Sequence, residues 1–192
     1  MTWQINPSAI HDLSIGLSRG LDALGDSIAF CRGGWRAVKD KSFPTHAFFF
    51  MRLEGRLIAF EEGPQGLRPQ PLSEYATDKN RIISAFYCHC FDDGDRRTAA
   101  RDALLKIWLD GGERDRYGWA TLFHFLPIIG QWIQPAKRGE ICSEDVAGGL
   151  IDWGGVDWLK TKIVAPDQLG TALHNREQYR DVDTILHYQD QV

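Results

Sequence analysis

Apolar residues at Ile10, Leu13, Leu17, Leu21 and Leu24 recur at spacings of three and four, which predicts an N-terminal helix packed against the domain. Gly25-Asp26 then opens the short apolar run Ser27–Cys31, which ends at Arg32-Gly33-Gly34 and reads as a strand closed by a turn. Two further apolar runs, Phe43–Met51 and Leu57–Glu62, flank Arg52–Arg56 with its Gly55, the pattern of a β-hairpin. Leu72–Tyr75 predicts a short helical turn, and Arg81–Cys88, rich in β-branched and aromatic residues, a further strand. Ala99, Ala100, Ala103, Leu104, Ile107 and Trp108 follow a helical period up to Gly111-Gly112. Tyr117–Ile133 is aromatic but broken by Pro127 and Gly130, so it reads as a helix and a loop, and Ile141–Leu150 as a short helix. Ile151–Val192, with its Pro166-Asp167 turn, reads as a polar tail.

The 192 residues, with no internal repeat or Pro/Ser-rich linker, predict one domain over 1–192 with a core at about 25–169, to which the N-terminal helix and C-terminal tail are appended. A net charge of -4 gives no basic footprint for phosphate backbones, so nucleic acid is not expected as a partner. The longest uncharged run, 117–136, contains His124, Pro127, Gly130, Gln131, Gln134 and Pro135 and so falls short of the ~20 predominantly apolar residues of a membrane span. The N-terminus lacks a basic n-region and an apolar h-region, which predicts a cytoplasmic protein. Four cysteines without a C-x-x-C make free thiols the default.

Cys142 stands where a polar, Gly-containing loop gives way to a helix, in Glu140-Ile141-Cys142-Ser143-Glu144. The positive end of a helix dipole and its unpaired N–H groups favour negative charge there, which suits a nucleophilic thiol and an oxyanion alike. The competing reading is a small buried apolar residue at a helix start. A thiol nucleophile needs a base, and His46 at the head of an apolar strand is a candidate. If Glu54-Gly55 form a two-residue turn, Leu53 pairs with Arg56 and His46 falls opposite Gly63. Glu61 then lies on the face of His46, one diagonal step away, where it can orient the imidazole. A turn with an odd number of residues selects Glu62 instead.

Gly25-Asp26-Ser27-Ile28, Thr45-His46-Ala47-Phe48, Ala59-Phe60-Glu61-Glu62 and Ile141-Cys142-Ser143-Glu144 together resemble the motif order of the circularly permuted papain-like amidases. These are the YaeF/YiiX-like relatives of the NlpC-type cell-wall peptidases. Tyr117-Gly118-Trp119 is similar to the family's segment before the cysteine, and Val164–Leu169 to its closing "P-x-x-L" turn. Ala47-Phe48-Phe49-Phe50 departs from the small or aliphatic residues usual after the histidine. The resemblance implies an α+β, circularly permuted papain-like fold, with helices packed on a small antiparallel sheet and the nucleophile at a helix N-terminus. It further implies a cysteine peptidase or amidase working through Cys142, His46 and Glu61 and an acyl-enzyme, with no cofactor or metal. Tyr117 is a candidate oxyanion or substrate contact. The substrate expected is a peptide or peptidoglycan fragment. A lipid acyltransferase or thioesterase acting on lipid esters, mildly favoured by Phe48–Phe50, and an inactive binding module are the alternatives.

Cys88-His89-Cys90 invites a metal, but strand alternation sends both thiols to one face and His89 to the other. Asp92, Asp93 and Asp95 lack the closing Glu of a calcium loop. His124, among apolar neighbours, reads as a core or rim residue.

Overall fold

The computed structural model describes residues 7–63, 66–72, 80–109, 142–162 and 164–187. Six strands form one antiparallel sheet: β1 (Ile15–Gly20), β2 (His46–Leu53), β3 (Arg56–Gly63), β4 (Gly66–Pro71), β5 (Asn80–Cys88) and β6 (Val182–His187). Their order across the sheet is β4-β3-β2-β1-β5-β6. Among the described residues, four helices accompany it: α1 (Ala23–Lys39), α2 (Gly94–Leu109), α3 (Cys142–Asp152) and α4 (Pro166–Glu177). The protein is therefore α+β, with helices packed on a small antiparallel sheet.

Alternation along the strands builds two apolar clusters. Ile15, Leu17, Ala47, Phe49 and Phe60 bury against Leu104 of α2, Val146 and Leu150 of α3 and Leu169 and Leu173 of α4. Phe48, Phe50, Leu57, Ala59 and Ile82 form the second cluster with Ile10. Helix α3 packs closely on the sheet at Gly149, where an added Cβ would lie 2.9 Å from the Phe49 ring and 2.8 Å from that of Trp153. Only glycine lets α3 sit that near β2.

The hairpin forms in the register expected from a two-residue turn. Glu54 and Gly55 have φ of 50° and 77°, the two left-handed residues of a type I′ turn, and Leu53 pairs with Arg56.

The N-terminal third overturns the expected helix and strand. Ile10–Leu24 is not one helix: Pro7–Ala9 makes a 3-10 turn, and Ile15–Gly20 is a central strand buried on both faces, paired with β2 and β5. Leu13, Ile15 and Leu17 keep a period of two, and a central strand needs no polar face. Conversely, Ser27–Cys31 lies within helix α1, started by Asp22, whose carboxylate accepts a 2.8 Å hydrogen bond from the Gly25 amide. A Cβ at Gly25 would stand 2.2 Å from the Gly20 carbonyl oxygen, so this glycine serves the contact between helix start and strand end.

The expected tail is also structured. Pro166 occupies the first turn of α4 rather than closing a turn, and β6 pairs with β5. Strand β5 stops at Cys88, and His89–Phe91 turns into a 3-10 helix. Ser73–Tyr75 and the Tyr117–Ile133 stretch, with Tyr117, Trp119 and His124, lie outside the described residues.

Candidate active site

His46 is the first residue of β2, and its neighbours fix that position. The buried Thr45 donates its amide to the Ser18 carbonyl at 2.9 Å and accepts the Gly20 amide on Oγ1 at 2.9 Å, which ties the approach to β2 against the end of β1. Ser18 is also the cross-strand partner of His46. The imidazole stands 6.0 Å from the ring of Phe48, and its side chain keeps 21% exposure.

Glu61 comes from β3 on the same face. Its Oε2 lies 2.9 Å from His46 Nε2. Its Oε1 accepts two hydrogen bonds from Arg68 of β4, from Nε at 3.1 Å and from a terminal nitrogen at 2.8 Å. Arg68 is the residue directly opposite Glu61 in the β3–β4 ladder. Both carboxylate oxygens are thus engaged, with the group held between a base and a cation. The even turn at Glu54-Gly55 settles the parity in favour of Glu61.

Cys142 opens α3 and is buried. Ser143 donates Oγ to the Val164 carbonyl at 2.6 Å, which pins the helix start to the segment entering α4. The Cys142 sulfur lies within hydrogen-bonding reach of His46. Since Glu61 takes Nε2, Nδ1 is the ring nitrogen left for the thiol.

Burial by itself would lower the pKa of His46. The negative sulfur of Cys142, the hydrogen bond to it, and the hydrogen bond and charge of Glu61 outweigh burial, so the imidazole is pushed up to about 10. At neutral pH this histidine is therefore a cation, paired with the Glu61 carboxylate.

The structure brings Cys142, His46 and Glu61 into one hydrogen-bonded chain. Arg68 is the residue that sequence reasoning missed. Its strand contains Pro69 and Pro71, which argue against a strand except at a sheet edge, where β4 lies. Phe48, Phe49 and Phe50, read as a hint of a lipid pocket, are all buried in the two apolar clusters. Among the described residues, no three His, Cys, Asp or Glu side chains are grouped to hold a metal ion. Among them too, no helix is long and apolar enough to cross a membrane.

Arg68 opposes the pull of Glu61 on the His46 proton. Replacing it in Arg68→Met is expected to raise the pH at which His46 deprotonates by about half a pH unit to one pH unit, the size of a Coulomb interaction across one partly exposed carboxylate. A histidine-resolved NMR titration reads this. A packing role alone would leave the value in place or lower it.

Neither a protein-family model nor a curated protein sequence matches the chain. Among solved structures, the chain is similar to the crystal structure of metalloprotein yiiX from Escherichia coli O157:H7, at a TM-score of 0.52 and 10% identity. The match covers 93% of this chain and 89% of that one. The fold is YiiX-like.

Proposed function

We propose that this chain is a thiol-dependent hydrolase with a circularly permuted papain-like fold, cleaving an amide bond of a peptide or peptidoglycan-like substrate. The observation that carries the reading is the connected line Arg68–Glu61–His46–Cys142, in which a buried thiol at a helix start meets an imidazole oriented by a carboxylate. Sequence order supports the permutation, because His46 and Glu61 precede the nucleophile.

In this reading the Cys142 thiolate attacks the substrate carbonyl, and the oxyanion takes the Cys142 backbone N–H at the helix start. The His46 imidazolium gives its proton to the departing amine as the tetrahedral adduct collapses to an acyl-enzyme. Neutral His46 then takes a proton from water, hydroxide attacks the thioester, and the acid leaves. Glu61 holds the ring in place and offsets its charge.

The test is intact-mass spectrometry of the protein exposed to acylated peptides and peptidoglycan digests, with product amines measured in parallel. The reading expects amine release together with a transient acyl adduct on Cys142. Fatty-acid release from lipid esters without amine release would favour the acyl-ester alternative, and ligand retention without any product the binding module.

A further inference from the structure

We propose that Cys88 and Cys90 form a reversible intramolecular disulfide by exchange with a small-molecule disulfide, a modification site separate from Cys142. Four observations converge on this pair. The strand β5 ends at Cys88, whose backbone is still extended at φ -99° and ψ 120°, and His89 begins a 3-10 turn. A helical residue between two cysteines sets their Cα atoms about 5 to 5.5 Å apart, near the middle of the 4.4–6.8 Å that a disulfide spans.

The thiols already face one another, with the side chains of Cys88 and Cys90 in hydrogen-bonding reach. Cys90 is confined from its other side as well, because its sulfur lies only 2.7 Å from where a Cβ on Gly154 would stand. Replacing that glycine would push the sulfur away. Finally, Arg96 donates to the Gly154 carbonyl at 2.9 Å and places its positive charge near Cys90, which partly offsets the burial and the Cys88 charge that hold this thiol up.

The hydrogen bond between them draws the Cys88 thiol below its ordinary range and, together with burial, holds the Cys90 thiol above its own. Access then sets the order of events. Cys88 is 1% exposed, whereas Cys90 is only partly buried. From the singly ionised pair, Cys90 passes its proton to Cys88 and attacks one sulfur of the external disulfide, which releases one thiolate and leaves a mixed disulfide on Cys90. Cys88 then gives up its proton and attacks the Cys90 sulfur, forming the internal S–S bond and expelling the second external thiolate. The pair has lost two electrons and two protons, and the external disulfide has become two thiols. The small ring closed by one intervening residue strains the bond and makes it easy to reduce.

The full-length protein is incubated with oxidised glutathione, quenched with N-ethylmaleimide and digested with trypsin without reduction. The tryptic peptide 82–96 contains both cysteines and neither of the other two. The expected result is a loss of two hydrogens from this peptide, with no glutathione and no maleimide attached, reversed by excess reduced glutathione. In Cys88→Ser, Cys90 is expected to accumulate as a stable glutathione adduct. In Cys90→Ser, Cys88 remains without an adduct. Recovery of wild-type peptide 82–96 with two maleimides, or with glutathione retained on Cys90, after Cys31 has become fully glutathionylated would overturn the proposal.

Discussion

With His46 replaced by alanine, alkylation of Cys142 by iodoacetamide at pH 6 is expected to slow by about tenfold to a hundredfold. An ordinary thiol, with a pKa of about 8.5, is ionised in only about one molecule in 300 at pH 6. A cation beside a thiol favours the thiolate, although an ion-paired thiolate is intrinsically less nucleophilic, with a Brønsted slope of about 0.4–0.5. The net advantage is the range given. His46 supplies the cation because its pKa, raised to about 10, leaves it protonated throughout the neutral range. Sterics push the other way: Cys142 is 2% exposed, and removing the ring opens access to it. A slower rate in His46→Ala therefore reports lost charge. Cys31 serves as an internal reference, since it is partly exposed. As pH rises through about 10, wild-type His46 loses its proton, and the proton donor for the leaving amine disappears with it. Turnover is expected to fall on that limb, and equal rates in wild type and His46→Ala at pH 6 would remove the ion pair from the mechanism.

The hairpin was legible in the sequence because its information is local. Glu54-Gly55 tolerates two positive φ values, the turn length fixes parity, and parity puts Glu61 on the face of His46. Helix α2 was legible for a similar reason, as apolar residues recur at 3.6 over several turns before two glycines. The first forty residues were not. Leu13, Leu17 and Leu21 satisfy a helical spacing, while Leu13, Ile15 and Leu17 satisfy a strand spacing. The choice depends on β2 and β5, which enclose β1 and are distant in sequence. The decisive local signal for α1 was the cap Asp22 three residues ahead of Gly25, not the apolar run that followed.

Within the candidate site, legibility follows the same division. His46 and Glu61 are linked through one hairpin, so the sequence reaches their pairing. Arg68 joins them through an edge strand whose two prolines mask it, and Thr45 through hydrogen bonds to β1, which the sequence presented as helix. The meeting of Cys142 with His46 spans almost a hundred residues. It depends on α3 lying close over β2 at Gly149 and on Ser143 fastening the helix start to Val164. Neither contact leaves a periodic trace. Motif order suggested the meeting, and packing supplies its geometry.

Cys142→Ala is expected to lower turnover of any amide substrate by at least about 10⁴-fold while leaving the domain folded, because a nucleophile lost from a covalent mechanism leaves only binding and oxyanion contributions. Folding should survive, as the change removes one small sulfur beside a helix start that Ser143 still fastens. The same variant carries a second readout that a merely structural cysteine would not move. The sulfur's charge and hydrogen bond are the leading influences that raise His46 against its burial, so without them the imidazole must titrate below its wild-type value of about 10. Glu61 still holds Nε2 and limits the fall. Histidine-resolved NMR of Cys142→Ala against wild type measures it. A lowered His46 with lost turnover is the signature of a thiol acting directly on substrate. Lost turnover with His46 unmoved would mean that the sulfur and the imidazole are not electrostatically joined, and retained turnover would place the nucleophile elsewhere.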